Sequence, residues 1–299
     1  MSTINQGSLV YETFSKRIAA GERLTREELR ELAATPDILT VGMLADEVRR
    51  RAHGTNVTFA RVACCAFDKP LADGVPIAAR EVRLTGAPPS LEIAMSAVEA
   101  AKAIAGDRAV SGFSVVDIEA ASGSNALART LRKMREAGLE MIGEVPIDKL
   151  SSPEGQLEAL GSAGFDRVRL TMARPPAAER IDVLWRAIDL SEKFPFVRVI
   201  SPLPMSLAAF RPTTGYDDVK IVALARLAAK PDVHIQVDWQ RYGPKLAQVA
   251  LTFGADDLDN VSASDDAPEG RRRAPIEEVR RNIEAAGFTP VERDGRWNR

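Results

Sequence analysis

The chain has 299 residues, 45% of them hydrophobic and 27% charged, with 40 basic side chains against 42 acidic ones and a net charge of −2. This is the composition of a globular protein large enough to bury a full core, and the scatter of both signs leaves no basic face for a nucleic acid. No apolar run approaches the ~20 residues of a membrane span, and Met1–Ser8 lacks the basic start and apolar stretch of a secretory signal, so no membrane partner and a cytoplasmic location are expected.

The N-terminal region reads as helical. Thr13–Ala20 is amphipathic and stops at Gly21; Thr25, with Glu28 three residues on, forms a capping box that starts a second helix. Val41–Arg51 is a third, closed by Arg49, Arg50, Arg51 and then Gly54, cations and a glycine where a helix C-terminus favours them. Eight short β-branched runs follow: Val57–Val62, Glu81–Thr85, Ala109–Val115, Glu140–Gly143, Arg167–Thr171, Phe196–Ser201, His234–Asp238 and Ala255–Leu258. Helical stretches separate them, among them Leu91–Ile104, Ala126–Ala137, Gln156–Gly161, Ala178–Lys193, Asp217–Ala229 and Pro244–Phe253. Strand and helix alternating eight times without a linker predicts an α/β fold, a (β/α)8 TIM-type barrel with N-terminal and C-terminal helical extensions. An open doubly wound sheet has the same element order. The predicted division is residues 1–55 as the N-terminal extension, 56–261 as the barrel, and 262–299 as a flexible loop and helix, together one structural unit; the closing helix is Pro275–Ala286.

Barrel chemistry sits where strands give way to the next helices. That rule selects Asp117 and Glu119 after the third strand, Glu144 and Asp148 after the fourth, and Arg174 after the fifth. It adds Arg211, Thr213, Thr214 and Tyr216 after the sixth, Asp238, Trp239, Gln240, Arg241 and Tyr242 after the seventh, and Asp256, Asp257, Asp259 and Asn260 after the eighth. Asp117, Glu144, Arg174 and Asp256 are the catalytic candidates; Arg211, Thr213, Asp238, Trp239, Arg241 and Asp257 are the ligand-binding ones. The carboxylates offer general bases, the arginines hold anions, and Trp239 or Tyr242 either stacks a flat ring or packs. Asp256 and its neighbours either meet substrate or cap a solvated turn.

Cys64 and Cys65 are the chain's two cysteines, adjacent just past the first strand. They are weak candidates for metal or nucleophile chemistry, since a buried, inert cysteine is the commoner case and no metal-like spacing accompanies them. The two histidines, His53 at a helix end and His234 at the start of a strand, are read as structural, which argues against a Ser-His-Asp triad or a histidine-rich metal site and leaves a carboxylate-only cation site open. No G-x-G-x-x-G or G-x-x-x-x-G-K-[ST] occurs, which disfavours nucleoside triphosphates and dinucleotides bound in the usual way.

The stretches Arg17–Leu24, Leu44–Gly54, Arg211–Asp218 and Lys245–Asp259, above all Leu246–Leu251 and Gly254–Asp259, resemble the aminofutalosine synthase and dehypoxanthine futalosine cyclase family. The resemblance runs nearly end to end and implies radical S-adenosylmethionine enzymes of menaquinone biosynthesis. That family's chemistry depends on a C-x3-C-x2-C loop after the first strand, whose thiolates hold a four-iron cluster. Here Val57–Val62 passes almost directly into Cys65, Ala66 and Phe67, which look like the family's last cysteine and its neighbours; the segment for the first two is absent. A degenerate, cluster-less member is therefore expected, with no iron–sulfur cluster and S-adenosylmethionine the one cofactor left open. Its expected role is to bind a nucleoside-like or S-adenosylmethionine-like small molecule, or to assist a protein partner in the menaquinone pathway. The alternatives are a non-radical lyase or hydrolase using barrel-mouth carboxylates, and a radical enzyme with a non-standard cluster.

Overall fold

A computed structural model describes residues 3–69, 74–173, 175, 179–204, 215–266 and 273–299, with side chains from residue 11 onward. Three helices lead in: α1 (Thr3–Ala19), α2 (Arg26–Ala34) and α3 (Ile38–His53). The capping box at α2 is present, with the Glu28 backbone N–H donating to Thr25 Oγ1 and the Thr25 N–H to Glu28 Oε2 at 2.7 Å. The strands are β1 (Asn56–Ala66), β2 (Glu81–Thr85), β3 (Ala109–Ser114), β4 (Met141–Pro146), β5 (Val168–Met172), β6 (Val197–Pro202), β7 (His234–Asp238), β8 (Asp257–Ser262) and β9 (Thr289–Glu292). Between them run α4 (Leu91–Ala105), α5 (Val115–Ser122), α6 (Leu127–Glu136), α7 (Pro153–Ser162), α8 (Arg180–Lys193), α9 (Tyr216–Ala228), α10 (Trp239–Thr252) and α11 (Pro275–Ala285).

All pairings between these strands are parallel, in the order β2 to β8 and then β1, and β1 pairs back onto β2, so the sheet closes. Closure excludes the open doubly wound sheet. The alternation of β1 buries Val57 and Phe59 in the layer between sheet and helices, which Leu131, Val237 and Leu258 share; burial of this kind is what holds a barrel's two layers together. The short β9 was not foreseen. It pairs with the lower half of β1, Asn56–Phe59, while β2 pairs with the upper half, Val62–Ala66. Its weak signal has a physical cause: four residues, one exposed and three half-exposed, that include Pro290, acceptable at a sheet edge and poor as a strand pattern. The chain then crosses beneath the barrel, where the Gly295 N–H donates to the Arg80 carbonyl.

The eighth strand starts two residues later than its sequence suggested and runs through four polar residues, Asp257, Asp259, Asn260 and Ser262. Aspartate disfavours strands in general, and tertiary ion pairs override that preference here, as the site shows. Among the described residues no helix is long and apolar enough to cross a membrane.

Candidate functional site

The C-terminal ends of the strands surround a cavity of about 330 Å³, reached by Cys64, Phe113, Ser114, Asp117, Glu144, Asp238, Arg241 and Asn260. Two of these residues hold left-handed backbone although neither is glycine: Phe113 with φ 58° and Asn260 with φ 60°. Such conformations persist where surrounding structure enforces them. At Asn260 the cause is a bulge, because β8 places Asp259 and Asn260 opposite the single residue Ala60 of β1. The bulge aims the Asn260 amide at both Asp238 oxygens, each 3.2 Å away, while the Cys64 thiol donates to Asn260 Oδ1 at 3.4 Å.

Asp238 closes β7 and caps α10, its Oδ1 accepting from the Arg241 backbone N–H at 2.9 Å. Burial raises its carboxyl above the usual range and nearby Asp259 adds to that. Asp117, in the first turn of α5, is raised likewise by burial, with Glu144 adding and Lys149 opposing. Arg241 reaches across to Glu144 at 2.5 Å. The mouth thus collects carboxyl groups inclined to hold a proton, the Arg241 guanidinium, with Arg83 and Arg169 at its floor, one amide and one thiol. That set can bind a small polar molecule and exchange protons with it.

Beneath the cavity lies a layer of ion pairs that the sequence did not reveal. Arg83 holds Asp259 with two bonds, at 2.8 and 3.0 Å, and also donates to Glu81. Arg169 pairs with the same aspartate and donates to Gln236 at 2.9 Å. Lower still, Arg293 grips both oxygens of Asp257 at 2.6 and 2.8 Å, where Thr58 and Gln236 also donate. The available signal was charge at every second position, Glu81 with Arg83 and Asp257 with Asp259, which on a strand puts both members on one face.

Three sequence-selected residues, Asp256, Asp257 and Trp239, are corrected by this geometry. Asp256 precedes β8 and lies at the opposite end of the barrel from the cavity, fully buried against Arg226 and His234. Asp257 lies inside the barrel, below the cavity, with its oxygens occupied by Arg293, Thr58 and Gln236. Trp239 packs in the core instead of lining the cavity, and Tyr242 beside it donates to the Pro202 carbonyl at 2.7 Å. Pro244 starts the second part of α10, after a break at Gly243 with φ 72°, so the helix begins one turn earlier than expected. Asp117, Glu144, Asp238 and Arg241 are brought together at the mouth. Arg174, Arg211 and Thr213 lie outside the described residues.

The two sulfurs take opposite sides of β1. Cys64 points into the cavity, and burial pushes its thiol up to about 11. Cys65 points outward into the apolar layer, and burial raises it too. Side chains one residue apart on a strand face away from each other, so these two cannot converge on one ion without rebuilding the strand.

The comparisons with known proteins agree on the architecture and narrow the ancestry. No protein-family model matches the chain. Methylornithine synthase (PylB) superposes with a TM-score of 0.66 over 93% of this chain and 97% of its own, at 17% identity. The hydrogenase maturase HydG from Carboxydothermus hydrogenoformans gives 0.66 over 97% of this chain and 81% of its own, at 13% identity. Identities this low speak for the fold alone. The 5-amino-6-(D-ribitylamino)uracil–L-tyrosine 4-hydroxyphenyl transferase of Archaeoglobus fulgidus is 40% identical over 93 residues, which is 29% of this chain and 27% of that one. Its counterpart in Methanothermobacter thermautotrophicus is 34% identical over 129 residues, 39% of this chain and 35% of its own. These matches therefore span about a quarter to a third of each transferase. The aminodeoxyfutalosine synthase of Thermus thermophilus aligns over 94% of this chain and 93% of its own, at 25% identity. The chain is a homologue of aminodeoxyfutalosine synthase. The closed barrel is the expected one, and the alignment with that synthase runs over 354 positions where this chain has 299 residues, so the synthase carries residues that have no counterpart here.

Proposed function

We propose that this chain is a cluster-less member of the aminodeoxyfutalosine synthase group that binds a nucleoside-like or S-adenosylmethionine-like molecule in the mouth cavity. The observation that carries the reading is the donor set there: Asp238, Asn260, Glu144, Asp117 and Arg241 converge on the cavity with a single sulfur, Cys64. A four-iron cluster needs three or four thiolates, and the chain holds two cysteines on opposite faces of a strand. The residues present do not fit such a cluster. A cavity of about 330 Å³ lies within the range that small-molecule sites occupy. Its carboxyls suit the hydroxyls of a ribose, and Arg241 suits a carboxylate or phosphate.

The test is a thermal-shift titration with adenosine and with S-adenosylmethionine, alongside iron analysis after anaerobic reconstitution. A rise in Tm with one of these compounds, lost in Asp238→Asn, together with no retained iron, is the expected result. Four irons per chain and 5′-deoxyadenosine formed with reductant would overturn it.

A second reading is favoured by the raised carboxyl of Asp117 beside Glu144. Two carboxyls whose environments differ are the usual arrangement of an acid and a base, so a lyase or hydrolase acting without iron fits the same cavity. Turnover of a bound ligand that Asp117→Asn abolishes while leaving its affinity intact would favour this reading over plain binding.

A further inference from the structure

At the N-terminal end of the barrel, away from the cavity, the two histidines of the chain meet. His53 ends α3, His234 opens β7, and their ring centroids are 5.1 Å apart. Asp256 lies between them. Its Oδ1 is occupied by Arg226 and by the Ile235 backbone N–H at 2.8 Å. Its Oδ2 faces both imidazoles, 2.5 Å from His234 Nδ1 and 3.7 Å from His53 Nε2. His53 Nε2 is buried without a hydrogen-bond partner, in a side chain only 9% exposed. A buried ring nitrogen left without a partner calls for an explanation.

We propose that His53, His234 and Asp256 form a site for a divalent first-row transition ion of the Zn²⁺ type. Among the described residues this is the trio of His, Cys, Asp and Glu side chains whose ligand atoms come together, all within 4.8 Å of one another. Two imidazoles and a carboxylate are ligands of borderline hardness, which suits Zn²⁺ better than Mg²⁺ or Ca²⁺. Donors at about 2.0–2.2 Å from a tetrahedral ion sit roughly 3.4 Å apart. His53 is close to that distance from Oδ2, and His234 reaches it by exchanging its hydrogen bond for a metal bond. Arg226 on the other oxygen is then the outer partner that orients a ligating carboxylate. Trp297 lies against the His234 ring, at 4.8 Å between centroids, and limits its rotation. A cavity of about 270 Å³ borders His234, so water can supply a fourth donor. The three ligands come from α3, β7 and the turn before β8, so the ion would pin the N-terminal extension to the barrel.

The chain's two histidines make the test direct. The protein is stripped with EDTA, desalted and titrated with Zn²⁺, following both imidazoles by NMR and Tm by calorimetry, and in parallel with Co²⁺ for its visible absorption. One equivalent of Zn²⁺ should shift both imidazole signals and, at a hundredfold excess over Kd, raise Tm by about 5 °C. His53→Gln should weaken binding at least tenfold, and Cys64→Ser should leave it within twofold. Imidazole signals that Zn²⁺ leaves unmoved in the unaltered protein would overturn the proposal, whatever the variants do. So would Zn²⁺ binding that is as tight in His53→Gln and in His234→Gln as in the unaltered protein.

Discussion

Inside the barrel Arg293 grips both oxygens of Asp257 and Arg83 both oxygens of Asp259, whereas at the mouth Asp238 is held by an amide, a helix N–H and the more distant Arg241. Both regions are rich in carboxylates, yet they resolve burial in opposite directions. In the interior, opposite charges are paired and Asp259 is driven well below the usual carboxylate range, despite burial that alone would raise it, because Arg83 and Arg169 lie beside it. At the mouth, burial prevails and Asp117 and Asp238 rise. The difference separates the part of the barrel that holds itself together from the part able to meet a ligand.

The sharpest way to break this contrast is to remove one guanidinium from each region. Arg293→Met leaves Asp257 buried without its main partner, and removing one member of a buried pair costs about 3–5 kcal/mol. Arg241→Ala removes a half-exposed pair with Glu144, whose loss costs less than about 1 kcal/mol. Urea unfolding of both variants measures the gap; equal losses would remove the distinction between the two regions.

The two cysteines repeat the comparison on a smaller scale. Cys65→Ser places a hydroxyl in the apolar layer and should cost about 1–3 kcal/mol. Cys64→Ser, at a cavity wall with Asn260 to receive the hydroxyl, should stay within about 0.5 kcal/mol. Calorimetric Tm values separate them.

Titration gives a subtler effect, with opposite signs. Asp256 is pulled well below its ordinary value: burial works against this, and Arg226 and His234 outweigh it. The folded state therefore binds fewer protons than the unfolded one just below that ordinary value, and this stability, fully present at higher pH, is lost as pH falls through the window. Asp238 is raised, so the folded state binds more protons, and its contribution falls as pH rises from the ordinary carboxylate value through the raised one. Stability measured by urea unfolding from pH 3 to 8 should therefore decline less with rising pH in Asp238→Asn than in the unaltered chain, and Asp256→Asn should lose less stability on acidification. A shared sign for the two variants would contradict the assignment.

How much of this was legible in the sequence follows from the range of the forces involved. The eight barrel strands were readable because β-branched runs and amphipathic helices are local patterns, and the limits of Glu81–Thr85 and His234–Asp238 were readable to the residue. The eighth strand was placed early because aspartates read as a turn until Arg293 and Arg83, both remote in sequence, are seen to face them. Asp117, Glu144, Asp238 and Arg241 were selected by the rule that strand ends carry chemistry, and they do gather at the mouth. His53 and His234 are separated by most of the barrel, so nothing local reports that closure brings them to Asp256. The Asn260 bulge was equally hidden, since it depends on the register between β1 and β8.

The smallest change to stability comes from a chemical probe of the mouth. With its thiol pushed up to about 11, Cys64 is about one part in a thousand thiolate at pH 8, and only the thiolate alkylates. Its reaction with iodoacetamide should be slow at pH 7 and accelerate about tenfold for each pH unit up to pH 10, while Cys65, buried against the helices, stays unmodified in the folded protein. Mass spectrometry of peptides quenched over time reads both sites at once. Burial is the first cause of the shift and Arg83 opposes it, so the slope tests which of the two governs the cavity wall. A rate that already levels off near pH 8 would mean that Arg83 stabilises a thiolate there. The mouth would then hold a nucleophile as well as a binding surface, and its contrast with the paired interior would rest on reactivity instead of on carboxyls that burial raises.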